Sequence, residues 1–215
     1  MMIDRAKFFA GVRQNVFHGH LAQKQVDGMN FILSAWEKSS FTDKRWLAYM
    51  LGTAYHETGG TMQPIHEYGS DAYFTRMYGI EGRRPDVARR MGNTRPGDGI
   101  LFAGRGLIQN TWANNYKRGG RAIGVDLYNN PDLAMQPDIA VKLMFEGMTD
   151  AEIIFEDKAG ADPAFSFTGK TLEDYFNDET EDWVGARRII NGTDNAAMIA
   201  ETAQNFNDAI AELRQ

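Results

Sequence analysis

Apolar residues recur at helical spacing along most of the chain. Phe8, Phe9, Val12 and Val16 lie on or near one stripe, and Asp4 before them is a good capping residue for a first helix. Ala22, Val26, Met29, Leu33 and Trp36 predict a second helix. Ser40-Phe41-Thr42-Asp43 then reads as a helix start, a hydroxyl followed three places later by an acid that reaches back to it, with a third helix from about Asp43 to about His56. From Thr58 to Gly106 the period is lost among glycines, aromatics and three prolines, which predicts loops, with strands confined to short pieces of residues 62–104. Regularity returns after Trp112. Asn129-Asn130-Pro131-Asp132 reads as a turn, and Pro137 opens a helix through Ala140, Leu143, Met144 and Met148. Residues 156–182 look acidic and loop-like, and a last helix runs from near Asp194 to Leu213 with Ala196, Ile199, Ala200, Ala203, Phe206 and Ile210 on one face. The expected class is mainly α with little β. One domain with a cleft is expected over residues 1–215, its helical part about 1–57 and 107–215 and its smaller irregular part about 58–106.

Composition narrows this picture by exclusion. A chain of 215 residues with 43% apolar and 24% charged residues is ordinary for a globular domain. It has no cysteine, which rules out disulfides, thiolate metal sites and a cysteine nucleophile. No apolar run approaches the roughly 20 residues needed to span a bilayer. The opening Met-Met-Ile-Asp-Arg-Ala-Lys puts an acid and two bases where a secretory signal carries its apolar run, so the expectation is synthesis in the cytoplasm with outside help for any exit.

The net charge of −6 counts against general nucleic-acid binding, but the charge is unevenly placed. Residues 150–182 carry eleven Asp and Glu against Lys158 and Lys170, which leaves the rest of the chain at +3. Arg76, Arg83, Arg84, Arg89, Arg90, Arg95 and Arg105 face only Glu81, Asp86 and Asp98 in their stretch. Two readings stand for these arginines: a solvated surface, or attraction of an anionic polymer.

Candidate chemistry centres on His56-Glu57-Thr58-Gly59-Gly60 and on Glu67. On a helix, Trp46, Met50 and Glu57 fall within about 40° of one another, so Glu57 ends an apolar stripe, partly desolvated as a general acid requires. A buried structural Glu is the alternative. Glycoside hydrolysis needs one carboxylic acid and one carboxylate, and Gly59-Gly60 would end the helix so that Glu67 returns toward Glu57 across a groove. A zinc-protease helix would need a second His at position 60, which is Gly. No metal or cofactor is therefore expected, and His56 and His66 read as hydrogen-bonding or structural residues. Gly104-Arg105-Gly106 lacks the spacing of a phosphate loop and more plausibly permits close backbone approach to a ligand. After it, Gln109, Thr111 and Asn115 offer amides and a hydroxyl suited to sugars, while Trp112 and Tyr116 offer flat faces. Taken alone, Trp112 reads as core.

The blocks His56–Gly60, Gly104–Tyr116 and Arg188-Ile189-Ile190-Asn191-Gly192, with Asn129–Ala134 between the last two, together resemble glycoside hydrolase family 19, and more narrowly its phage endolysin branch. That resemblance implies a lysozyme-like, two-lobed α fold and inverting hydrolysis without metal. It makes Glu57 the general acid, Glu67 the general base and Thr111 the holder of the attacking water. Gln109, Asn115 and Asn191 become substrate-binding amides, and His56, Tyr68, Arg105 and Trp112 complete the substrate contacts. Two positions depart from the pattern: Asn110 stands where an apolar residue is usual, and Asn191-Gly192-Thr193 lacks a second glycine. The resemblance further implies a monomeric muramidase that cuts the β-1,4 bond between N-acetylmuramic acid and N-acetylglucosamine of peptidoglycan. Such an enzyme is made in a bacterial host without a signal peptide and released through a holin to act in the periplasm, with weak contact between the arginine-rich stretch and anionic membrane surfaces. The alternatives are a chitinase, or a zinc-dependent or non-catalytic wall-binding module.

Overall fold

The structure, a computed structural model, describes residues 2–149 and 165–211. It is mainly α. Helix α1 (Arg5–Asn15) is capped by Asp4, whose carboxylate accepts from the Lys7 N–H at 3.1 Å. Helix α2 (Gln23–Lys38) buries Met29, Ile32, Leu33 and Trp36, the spacing of one helical face. Trp36 joins Phe41 and Phe145 in an aromatic cluster, with centroids 5.7 and 6.5 Å away.

Helix α3 (Lys44–Glu57) is the axis of the fold, with every residue from Leu47 to Ala54 buried. Its cap differs from expectation: Asp43 itself is the capping residue and accepts from the Arg45 N–H, so Ser40 does not start a capping box. The helix stops one residue past the expected end because Gly59 and Gly60 take left-handed φ of 58° and 77°, where side chains are disfavoured.

Helix α9 (Ala196–Ala209) lies against α3 and α1. Small residues let the backbones meet, since a Cβ on Gly52 would come within 2.8 Å of the Ala203 methyl, and one on Gly11 within 2.9 Å of the Ala209 methyl. The helix starts at Ala196 rather than Asp194 because Asn195 adopts φ 58°, and the expected end at Leu213 lies outside the described residues. Helices α7 (Ala113–Ala122) and α8 (Pro137–Met148) close the core, with α8 packed on both α2 and α7. The turn expected at Asn129–Asp132 leads into a 3-10 turn over Pro131–Met135.

Three helices occupy the stretch read as irregular: α4 (Asp71–Tyr78), α5 (Pro85–Arg90) and α6 (Asp98–Leu101). At eight, six and four residues they are too short for a helical period to register. The main buried cluster runs from Ile3 to Ile210 but takes no residue between Met62 and Phe102 among the described residues. Strand β1 (Ile65–His66) pairs antiparallel with β2 (Arg105–Gly106), Ile65 opposite Gly106 and His66 opposite Arg105. This two-residue ribbon, its second strand just beyond the expected stretch, returns the chain after Gly60 to the loop before α7. Of the acidic stretch 156–182, residues 156–164 lie outside the described residues, and the remainder includes a 3-10 turn over Leu172–Asp174.

Candidate active site

A cleft of about 540 Å³ opens where the end of α3, the residue after β1, the loop between β2 and α7, and the segments near Phe167 and Asn191 converge. Glu57, Glu67, Gln109, Thr111, Trp112, Asn115 and Asn191 all line it. Tyr78, Arg84 and Asn110 join them, none of which the spacing of motifs assigns to a site.

Glu57 is the last residue of α3. Its Oε1 accepts from Arg187 Nη1 at 2.6 Å, and the two side chains are 14% and 5% exposed. Arg187 lies on a 3-10 turn, Gly185–Ile189, and its Nε also donates to the Asp194 carbonyl at 3.2 Å. The lone carboxylate expected on an apolar stripe is thus half of a buried ion pair, and no hydrogen bond from a described residue engages its Oε2. Sequence reasoning missed Arg187 because it lies 130 positions from Glu57 and sits beside a second arginine, Arg188, with nothing local to tell them apart. The neighbouring His56 is half-buried and does not line the cleft. Burial depresses its pKa and the Arg187 charge adds to this, against an opposing effect from Glu57.

Glu67 follows β1 directly, and its N–H donates to the Gly104 carbonyl at 2.8 Å. Its Oε1 accepts from the Tyr78 hydroxyl at 2.8 Å, and its Oε2 accepts from the Gly104 N–H at 3.2 Å. A Cβ at position 104 would approach Glu67 Oε2 to 3.0 Å and Gln109 Oε1 to 2.9 Å, so a larger residue there would displace these two cleft groups. Burial, and then the hydrogen bond to Glu67, push the Tyr78 pKa well above the ordinary tyrosine value, so this hydroxyl remains a donor at any working pH. Glu57 and Glu67 therefore share one cleft while each is held by its own donors, with no hydrogen bond between them.

The loop after β2 carries the polar groups. Gln109 and Trp112 both adopt left-handed φ, 50° and 78°, which costs energy in non-glycine residues and clusters at functional sites. Gln109 Nε2 donates to the Ile65 and Gly106 carbonyls at 3.1 and 3.2 Å, leaving its Oε1 as an acceptor. Thr111 Oγ1 donates to the Gln109 carbonyl at 2.8 Å, so its lone pairs can accept from a water. Asn115 Nδ2 donates to the Thr111 carbonyl at 2.9 Å, and Trp112 packs edge-on against Tyr78 at 5.0 Å. Asn110 is paired through its backbone with Arg105, but its side chain is 1% exposed and both amide atoms lack a partner.

Besides His56, two more expected substrate contacts lie elsewhere. Tyr68 is 82% exposed and outside the cleft lining. Arg105 is buried, with its guanidinium spent on Asp132 at 2.8 Å, the Leu101 and Ala103 carbonyls at 2.9 and 3.0 Å, and the Tyr116 hydroxyl at 3.1 Å. It ties β2 to the Pro131–Met135 turn rather than facing a ligand. Tyr116 is buried as well, its pKa pushed up to about 12 by burial. Among the described residues no group of three or more His, Cys, Asp or Glu is placed to hold a metal.

Two carboxylates and a hydroxyl around one cleft in a mainly α fold define a glycosidase-type arrangement. The chain belongs to glycoside hydrolase family 19: residues 30–151 match the family model described as chitinase class I. Endochitinase A2 of Pisum sativum is 40% identical over 105 residues, 47% of this chain and 31% of that protein. Endochitinase 1 of Theobroma cacao is 39% identical over 105 residues, 48% of this chain and 32% of that protein. The chain thus spans about a third of the length of these curated relatives. Chitinase C from Streptomyces griseus HUT6037 shares the fold with a TM-score of 0.53 at 22% identity, over 97% of this chain and 76% of that one. A bacterial family 19 chitinase does so with a TM-score of 0.52 at 21% identity, over 99% and 97%.

Proposed function

We propose that the protein hydrolyses β-1,4-linked polymers built on N-acetylglucosamine, with inversion at the anomeric carbon. The observation that carries this reading is Glu57 and Glu67 lining one cleft, each oriented by separate donors. Arg187 holds Oε1 of Glu57 in the resting ion pair, so Oε2 is the oxygen that takes up a proton before Glu57 passes it to the glycosidic oxygen. Tyr78 and the Gly104 N–H hold Glu67, which takes a proton from a water that Thr111 orients by accepting its hydrogen bond. Attack from the face opposite the departing sugar then inverts the centre. Gln109, Asn115 and Asn191 line the cleft as candidate partners for hydroxyl and acetamido groups.

Chitin is the substrate that the relatives' names support. Peptidoglycan is the second reading, and Arg84 in the cleft lining favours it, because chitin carries no charge for a guanidinium to meet. On that reading the enzyme is a monomeric endolysin made in a bacterial host, released through a holin and acting on the wall from the periplasm. Mass spectrometry of digests of Gram-negative peptidoglycan and of chitin oligomers tests both. Fragments ending in reducing N-acetylmuramic acid support the muramidase, cleavage of chitin alone supports the chitinase, and intact polymers in both digests refute the proposal.

A further inference from the structure

The seven arginines between Arg76 and Arg105 do not form one uniform basic surface. Arg76 lies over the Tyr73 ring at 5.8 Å, Arg89 pairs with Asp86 at 3.4 Å, Arg95 meets Asp98 at 3.7 Å, and Arg105 is buried against Asp132. Arg83, Arg84 and Arg90 are exposed and have no ion pair or ring contact among the described residues. Of these three, only Arg84 lines the cleft.

Its placement follows from α5. Arg84 is the residue before the first turn, Pro85 fixes the start of the helix, and Arg84, Val87 and Met91 recur at a spacing of three and four along one face, which is the face that walls the cleft. Ala88, on the other side, is buried and accepts from the Asn93 N–H at 2.9 Å, which anchors the helix. Arg84 stands near the Tyr78 hydroxyl that holds Glu67, close enough for its charge to oppose the rise in the Tyr78 pKa. Arg84, Tyr78 and Glu67 line the same cleft.

A neutral sugar polymer gives an unpaired guanidinium on that wall nothing of opposite charge to bind, whereas a carboxylate matches its planar fork with two parallel hydrogen bonds. We infer that Arg84 forms an anion subsite in the cleft for carboxylates carried by the glycan, as on the peptide stems of peptidoglycan, with Arg83 and Arg90 adding field rather than direct contact. This rests on the glycan-hydrolase reading and names the substituent that the cleft selects.

The test is equilibrium binding by calorimetry with three probes: a disaccharide bearing a tetrapeptide with free carboxylates, the same molecule with its carboxylates amidated, and chitotriose. The wild type is expected to bind the acid form about threefold to tenfold more tightly than the amide, as for a partly exposed charge pair. That preference should shrink as salt screens it, vanish in Arg84→Gln and survive in part in Arg84→Lys. Equal binding of acid and amide by the wild type overturns the subsite, and so does a preference that Arg84→Gln leaves intact. If Arg84→Gln weakens all three probes alike, Arg84 acts through the catalytic side and the inference fails. Absence of chitotriose binding together with absence of cleavage counts against the glycosidase reading itself, whereas chitotriose binding without an acid preference removes the subsite alone.

Discussion

Replacing Arg187 by Met asks what the buried pair beneath the candidate acid contributes. The guanidinium is 5% exposed, donates to Glu57 at 2.6 Å, and donates to the Asp194 carbonyl at 3.2 Å. Both bonds are donated by the charged guanidinium and contribute about 1.5–3 kcal/mol each, while breaking a buried ion pair by removing one member costs about 3–5 kcal/mol. The two estimates agree at about 3–5 kcal/mol, because most of the loss is a carboxylate left without a partner. For a chain of this size, losses of 3–5 kcal/mol lower Tm by about 6–20 °C. Urea unfolding at neutral pH measures the loss directly, provided the slope of the transition is unchanged. The double variant Arg187→Met, Glu57→Gln removes the stranded charge and should recover a large part of the loss. A single-variant cost below about 1 kcal/mol, or a double variant no more stable than the single, refutes the assignment of this pair as a buried, coupled one.

Tyr78→Phe deletes the hydroxyl that holds Glu67 and keeps the ring against Trp112, so kcat on chitin oligomers should fall about tenfold to a hundredfold, and a change below twofold would mean that Tyr78 does not orient the base. Asn110→Leu removes a buried amide with two unpartnered atoms and should raise stability in urea by about 1–3 kcal/mol; destabilisation would show that the amide is satisfied in solution. His56 titrates below the ordinary histidine value of about 6.5 in the folded chain, so the unfolded chain takes up the proton first as pH falls. Its stabilising contribution is present above pH ~6.5 and is lost as pH drops toward the depressed folded value, at up to about 1.4 kcal/mol per pH unit. His56→Gln should therefore flatten the fall in urea midpoint between pH 7 and pH 5, and an unchanged slope contradicts the burial argument.

Long helices were legible because burial repeats along them: α2 and α9 show their apolar faces, and Gly59-Gly60 shows where α3 must stop. The short helices α4, α5 and α6 were hidden, since a stretch of four to eight residues shows barely two turns of any pattern. At the site, the local signals were the residue types of the Gly104–Trp112 loop and a carboxylate at the end of an apolar stripe. The partners that orient the two acids were not legible: Arg187 reaches Glu57 only through the packing of a 3-10 turn, and Tyr78 reaches Glu67 from the far end of α4, a helix too short to register in the sequence. Arg105 shows the converse. A glycine-framed arginine beside polar loop residues looks like a ligand contact, yet its Nε and Nη1 donate to Asp132, two carbonyls and a phenol, which locks β2 in place.

The paired action of Glu57 and Glu67 is tested most directly by the anomeric configuration of the first product. Proton NMR of a chitin hexamer, recorded in the minutes after enzyme is added and before mutarotation, resolves the new reducing end. Direct attack by a water activated by Glu67 gives the α-anomer from a β-linked chain, with the signal absent in Glu57→Gln and in Glu67→Gln. Initial formation of the β-anomer would mean retention through a double displacement and would contradict the account.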